Sequence, residues 1–494
     1  MATQSESNIY WDQLPMEIWR EILSYASAQD LVKNIAKVNK TFYDISNSLI
    51  DMIQLKFDEI KLSKVGRNEE HLVNGKIVES VKMAKPPGNG LFGRFHSIKY
   101  LSLVMNRPRY SWLFQVSPSD LPIFDILGQA LEFCKNITHL TISGEEFKAT
   151  QTYKTQNLTH VSLTLSSTSK RKVNKLLMNC EKLSALKIED TSTTNDIPKT
   201  LIATLEKNAK TLTQLNLPTI YYTPRVLKIL PRCEKLSYIE AHGTDCEYEA
   251  REIENWFEKV SALPKLKSLR LCDIHLSEPF SFENPEKFEN LAKTMEEIDI
   301  WECEGLGNVL KLFLNFSKLK SLSVKLMHSD ELPRDVEGCK NLKTLHLENG
   351  LTPAFGHFLS KIETFKDLTL AFYTHEDFEH LALILRTGSF NKVSVLTVYA
   401  CISGDVDKQI NDLLEIIADN FKNLKKLVLT SNIRRENHNF PDVHSYIINE
   451  ASLRKVVDNC QNLKDFEIRI LDKSISEATK EKLKQFKNVK FAKK

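Results

Sequence analysis

Two imidazoles and three carboxylates fall within six residues at His375-Glu-Asp-Phe-Glu-His380. On a helix such a set could hold a divalent metal with a glutamate as general base. The histidines are five apart, however, and at about 3.6 residues per turn the second turns away from the face a metal would need. The chain also carries nine cysteines. Cys134, Cys180, Cys233, Cys339 and Cys460 each stand three residues before the first apolar residue of a recurring pattern. No two of them fall in adjacent copies of it. With strands about 4.8 Å apart, the nearest pair is two spacings away, too far for a disulfide without backbone movement. They read as buried, reduced packing residues. No Cys-x-x-Cys or Cys/His pair has zinc-ligand spacing, and neither a phosphate-cradling glycine loop nor a nucleophile elbow is present. The expectation is a chain with no catalytic residues, no metal site and no cofactor.

A second set of residues could do the chemistry of recognition, and it depends on the pattern that positions it. The pattern is Leu-x-x-Leu-x-Leu. It runs through Ile98/Leu101/Leu103, Ile137/Leu140/Ile142, Leu158/Val161/Leu163, Leu183/Leu186/Ile188, Leu212/Leu215/Leu217, Leu236/Ile239/Ala241 and Leu266/Leu269/Leu271. It continues through Met295/Ile298/Ile300, Leu319/Leu322/Val324, Leu342/Leu345/Leu347, Phe365/Leu368/Leu370, Val393/Leu396/Val398, Leu424/Leu427/Leu429 and Leu463/Phe466/Ile468. Most copies start 21 to 31 residues apart, the period of leucine-rich repeats. Val489 and Phe491 are placed in a terminal edge strand. Between strands, Val173-x-x-Leu176-Leu177, Leu201-x-x-x-Leu205 and Leu413-Leu414-x-x-Ile417 have helical period. A unit this small buries its leucines only against neighbours, which predicts an α/β fold: a right-handed solenoid of about fourteen units, with a curved parallel sheet inside and helices outside.

Side chains alternate across a strand, so the residues between the leucines face outward. Across units six to ten these are Tyr238, Glu240, His242, Arg270, Glu297, Asp299, Trp301, Lys325, His346 and Glu348. Other units show mostly Ser, Thr and Ala there. Aromatics among charges make binding hot spots. Four carboxylates against two fixed cations favour a target segment carrying Lys or Arg.

Hydrophobic content of 42% and charged content of 27% are those of a folded, soluble chain. With 67 basic against 64 acidic residues, the footprint of a dedicated nucleic-acid binder is missing. The polar start lacks a signal-peptide pattern, and no apolar run reaches membrane-spanning length. A cytoplasmic or nuclear location without membrane or nucleic-acid partners is expected.

Trp11 to Ser48 reads as three short helices. Leu14-Pro15 opens the first, a proline at the first helical position losing no hydrogen bond, and Ile18, Ile22 and Tyr25 follow on one face. Asp30 can cap a second helix carrying Leu31, Ile35 and Val38. Phe42, Ile45 and Leu49 mark a third. Three apolar stripes on so little chain need a partner to complete their core. Trp11-Asp12-x-Leu14-Pro15-x-Glu17-Ile18, followed by Ile22-Leu23, Asp30-Leu31 and Val38-x-Lys40-x-Phe42, resembles an F-box, the segment that plugs substrate receptors into cullin-RING ubiquitin ligases. The resemblance implies docking to a Skp-family adaptor, and through it a cullin complex, by Leu14, Pro15, Glu17, Ile18, Ile22, Leu31 and Val38. Irregular repeats behind such a segment resemble the leucine-rich-repeat class of F-box proteins.

The expected organisation is a polar leader at 1–10, an F-box at 11–50, a linker with a flexible insertion at 51–95, and repeats from 96 to 494. The expected function is a non-catalytic substrate receptor of a Skp-cullin-F-box ubiquitin ligase that holds an unknown protein target on its repeats. The alternative is a leucine-rich-repeat scaffold whose helices only cap the array or serve a complex outside a ligase. A small-molecule-gated receptor, of the kind some plant F-box repeat proteins resemble, is disfavoured because the outward face shows no dense basic cluster.

Overall fold

The computed structural model describes residues 23, 52–56, 59–63, 79–82, 98–105, 127, 130–132, 134–144, 155–165, 174, 176–190, 198–243, 247–276, 288–326, 339–348, 362, 364, 366–372, 374–388, 390–400, 406–430, 446–471, 475–486 and 488–492. They belong to two compact units, 1–233 and 234–494.

In the first unit the strands β1 (Met52–Lys56), β4 (Tyr100–Met105), β5 (His139–Gly144), β6 (His160–Leu165), β7 (Ala185–Asp190) and β8 (Gln214–Pro218) pair in parallel in that order. On the far side of β1, β2 (Glu59–Ser63) and β3 (Glu79–Lys82) add antiparallel. Within the segment 51–95, the alternation of Ile53-Gln-Leu55-Lys-Phe57 and Ile60-Lys-Leu62 suggests the short strands that form there as β1 and β2, and β3 is a further one. Ile53 and Leu55 stand opposite Leu101 and Leu103, so β1 begins the same apolar ladder that the repeats continue.

In the second unit, parallel pairing runs through β9 (Tyr238–His242), β11 (Ser268–Cys272), β13 (Glu297–Cys303), β14 (Ser321–Leu326), β15 (Thr344–Glu348), β16 (Asp367–Phe372), β17 (Val395–Ala400), β18 (Lys426–Thr430), β19 (Asp465–Leu471) and β20 (Val489–Ala492). Two short strands beyond this sheet, β10 (Glu247–Tyr248) and β12 (His275–Leu276), pair with each other.

The middle leucine of each unit stands opposite that of the next: Leu269, Ile298, Leu322, Leu345, Leu368, Leu396 and Leu427 form one row, and all are buried. A backbone device fixes this register. The carbonyl after the first apolar residue of most repeats accepts two amide protons from the next repeat: Lys267 O from Glu296 N (2.7 Å) and Glu297 N (2.9 Å), Lys320 O from Lys343 N (2.8 Å) and Thr344 N (3.0 Å), and in the first unit Lys99 O from Thr138 N and His139 N. Both lone pairs of that carbonyl are thereby used, and a one-residue slip would break the series while turning the leucines outward.

Helices occupy stretches between strands, as helical period predicts. They include α1 (Lys199–Asn208), α2 (Pro224–Ile229), α3 (Ala250–Ser261), α4 (Glu289–Thr294), α5 (Gly307–Phe313), α6 (His375–Thr387), α7 (Val406–Asn420), α8 (Glu450–Asn459) and α9 (Glu477–Leu483). Helix α7 buries Ile410, Leu413, Leu414 and Ile417, and packs against both α6 and α8. Helix α6 starts at a capping box, in which the Thr374 hydroxyl accepts from Asp377 N at 3.1 Å and the Asp377 carboxylate accepts from Thr374 N at 3.1 Å.

The cysteine series is buried: Cys134, Cys180, Cys233, Cys339 and Cys460 are all free thiols. Several point at backbone carbonyls, Cys339 Sγ at Leu314 O (2.9 Å) and Cys180 Sγ at Leu176 O (3.5 Å). Burial pushes their thiols up to about 11 or 12, so they pack as small apolar groups with a weak donor. No helix among the described residues is long and apolar enough to cross a membrane.

Candidate functional site

Strand register gathers all ten outward residues of units six to ten onto one face in three neighbouring rows. Tyr238 and Glu297 flank Ser268 in the first. Glu240, Arg270, Asp299, Ser323 and His346 make the second. His242, Cys272, Trp301, Lys325 and Glu348 make the third.

The structure differs from the expectation that every one of these side chains meets solvent. Glu240, Lys325 and Glu348 are only 6%, 3% and 1% exposed. The reason is mutual pairing. Tyr238 Oη donates to Glu240 Oε2 at 2.7 Å, and His242 Nε2 lies 3.1 Å from Glu240 Oε1. Arg270 Nε lies 3.1 Å from Asp299 Oδ2, with its Nη1 3.8 Å from Glu240. Further along, Lys325 Nζ contacts Glu302, lies 3.9 Å from Glu348 Oε2 and sits 4.8 Å from the centroid of the Trp301 ring. His346 Nε2 is 3.3 Å from Glu348 Oε1.

These pairings set the charges. Burial opposes ionisation of Glu240, but His242, Tyr238 and Arg270 outweigh it and hold the carboxyl down at about 2. For Asp299 burial wins over Arg270 and Ser323, and its carboxyl rises. Burial and the Glu240 charge push the Tyr238 phenol up, keeping it a donor. The excess of carboxylate over fixed cation therefore acts on an incoming segment largely as a field. Direct contact is left to half-buried Tyr238, His242, Arg270, Asp299, Trp301 and His346 and to exposed Glu297. Trp301 meets His346 edge-on at 6.5 Å, and His346 stacks at 6.4 Å with Tyr399 of β17.

The strand ends beside this patch are strained. Asp273 and Glu302 adopt left-handed φ values of 54° and 52°, a conformation that costs a residue with a Cβ roughly 1–2 kcal/mol. Glu302 is the extra residue of a bulge, since the β13–β14 register shifts between Trp301 and Cys303. Gly243 N donates to Cys272 O at 2.6 Å. A Cβ there would stand 1.5 Å from Asp273 O, so only glycine permits the approach. The bulge re-aims Glu302 at Lys325. No period in the sequence marks it. Cys272 was also missed, although its place two residues after Arg270 puts it on the outward face.

Of the rejected candidates, His375 begins α6 with Nδ1 2.8 Å from Gln409 Nε2 and Nε2 3.8 Å from Glu379.

The residues expected to bind an adaptor, Leu14, Pro15, Glu17, Ile18, Ile22, Leu31 and Val38, lie outside the described residues. Their neighbour Leu23 is helical and buried. Residues 11–53 match the family profile of the F-box domain. The chain carries an F-box. An F-box is a protein–protein interaction domain, and behind it the parallel ladder of Leu-x-x-Leu-x-Leu strands is a leucine-rich-repeat fold. Among solved structures, a leucine-rich-repeat protein of Leptospira interrogans is similar over 82% of this chain and 80% of its own, at 13% identity and a TM-score of 0.29. So loose an overlay carries no argument; the repeat assignment stands on the register. No curated protein matches the chain.

Proposed function

We propose that this F-box chain is a substrate receptor of a Skp-cullin-F-box ubiquitin ligase. In this reading Leu14, Pro15, Glu17, Ile18, Ile22, Leu31 and Val38 dock a Skp-family adaptor, and the Trp301 face of the second unit holds a protein target. The receptor itself carries out no bond chemistry. It raises the effective concentration of target lysines near the ligase's transfer enzyme. The observation that carries this reading is the F-box match at 11–53, joined to repeats whose outward residues concentrate aromatic and charged groups at one place.

The test is deletion of residues 1–50. The cut belongs there and not near residue 96, because removing β1 would strip β4 of its partner on one side. The deleted chain is expected to lose adaptor and cullin on affinity purification while keeping its target. Retention of adaptor and cullin would show that residues 11–50 do not dock them, and a native chain that captures neither would instead be a repeat scaffold outside a ligase.

A further inference from the structure

Glu240, His242 and Cys272 bring a carboxylate oxygen, an imidazole nitrogen and a thiol sulfur all within 4.8 Å of one another. They come from two paired strands, with His242 directly opposite Cys272 at the strand ends. We propose that these three residues form a binding site for a thiophilic divalent ion of the zinc type, with the fourth position open to solvent.

The donor set is the first support. Thiolate, imidazole and carboxylate together suit zinc. Two ligands each about 2.0 Å from a tetrahedral zinc stand about 3.3 Å apart, and His242 Nε2 is already 3.1 Å from Glu240 Oε1. Only the sulfur has to close in.

The second support is what holds the ligands. Glu240 uses Oε2 to accept from the Tyr238 hydroxyl, which leaves Oε1 turned to His242, with Arg270 Nη1 at 3.8 Å from the same oxygen. That division of one carboxylate between a ligand position and an orienting hydrogen bond is typical of metal sites. The strand ends are pinned by Gly243 N on Cys272 O and by the left-handed turn at Asp273. Strain of this kind tends to gather at functional sites.

Charge balance is the third. Arg270 stands near, which would repel a cation: its Nη1 is 3.8 Å from Glu240 Oε1, a contact the ion would replace, while its Nε faces Asp299 at 3.1 Å and that carboxylate offsets it. Glu240 and a Cys272 thiolate then neutralise the divalent ion. Cys272 ligates as a thiolate, so binding the ion releases its proton. The inference is independent of adaptor and target docking, because neither partner enters its test.

The full-length chain, stripped with chelator and titrated with Co2+, is expected to retain about one ion per chain and to develop a thiolate-to-cobalt charge-transfer band that Zn2+ abolishes. Cys272→Ser and His242→Gln should remove the band, and Cys339→Ser should keep it. Tyr238→Phe, which spares all three ligands, should weaken Zn2+ binding about tenfold or more. Absence of the band in the native chain, its persistence in a folded Cys272→Ser chain, or unchanged Zn2+ affinity in Tyr238→Phe would overturn the assignment.

Discussion

The Lys325 ammonium lies 4.8 Å from the centroid of the Trp301 ring, across neighbouring strands, and it is held there from the sides by Glu302 and Glu348. The indole covers the cation, and the cation orients the indole. Trp301 is therefore a pre-ordered contact residue, which lowers the entropy lost when a target docks.

The target-docking prediction follows from that ordering. Reversing Asp299 would set a second cation against Arg270 and test folding more than binding. Exposed Glu297 on the same strand is the better site for a charge change. Trp301→Ala with Glu297→Lys is expected to abolish target ubiquitination while adaptor binding and thermal stability stay near those of the native chain. Full target capture by the double variant would move the site to another surface.

Lys325 also carries stability. Lys325→Met takes one cation away from Glu348, which is 1% exposed and also lies 3.3 Å from His346. Removing one member of a buried pair costs about 3–5 kcal/mol. Equilibrium urea unfolding should show that loss, and Glu348→Gln in the Lys325→Met background should recover part of it. Equal stability of native and Lys325→Met chains would contradict the pairing.

Leu345, 0% exposed in the middle of β15, gives a test of the core. Leu345→Ala is expected to cost about 2–5 kcal/mol. Native-state thiol labelling provides a companion measurement, since Cys339 and Cys180 are buried and should react only on unfolding. Rapid labelling of either would contradict the packing.

How much of this was legible depends on how far each feature departs from periodicity. Every Leu-x-x-Leu-x-Leu match became a strand because the pattern reports burial directly, and Leu345 is a case in point. The F-box was legible as a motif in Leu14-Pro15 and its neighbours. The burial of Lys325 was not, because a strand's alternation assigns a face and says nothing of what covers it. Nor was the Glu302 bulge, which adds a residue out of phase, or the parallel pairing of β1 with β4 across the long intervening segment. Cys272 escaped because its metal-ligating neighbours, Glu240 and His242, lie on another strand rather than at a fixed sequence spacing.

A pH dependence is expected from the first unit. Tyr100, His139 and His160 form a ring stack, with centroids 4.3 Å and 3.9 Å apart. Burial, and after it the charge of His160, lowers His139 from 6.5 to about 4. The unfolded chain then binds the proton more readily than the folded one. Stability should be intact above about pH 6.5 and fall progressively toward pH 4. The urea midpoint should drop between pH 7 and pH 5, and by less in His139→Gln. An equal drop in both chains would remove His139 as a cause.

The central claim is that the F-box couples this repeat protein to a ligase, and direct binding of the purified full-length chain to a purified Skp-family adaptor tests it. Native chain is expected to form a stable complex, and Leu14→Ala with Pro15→Ala to lose it while both repeat units unfold at the native urea concentration. A double variant that binds the adaptor as the native chain does would contradict the account.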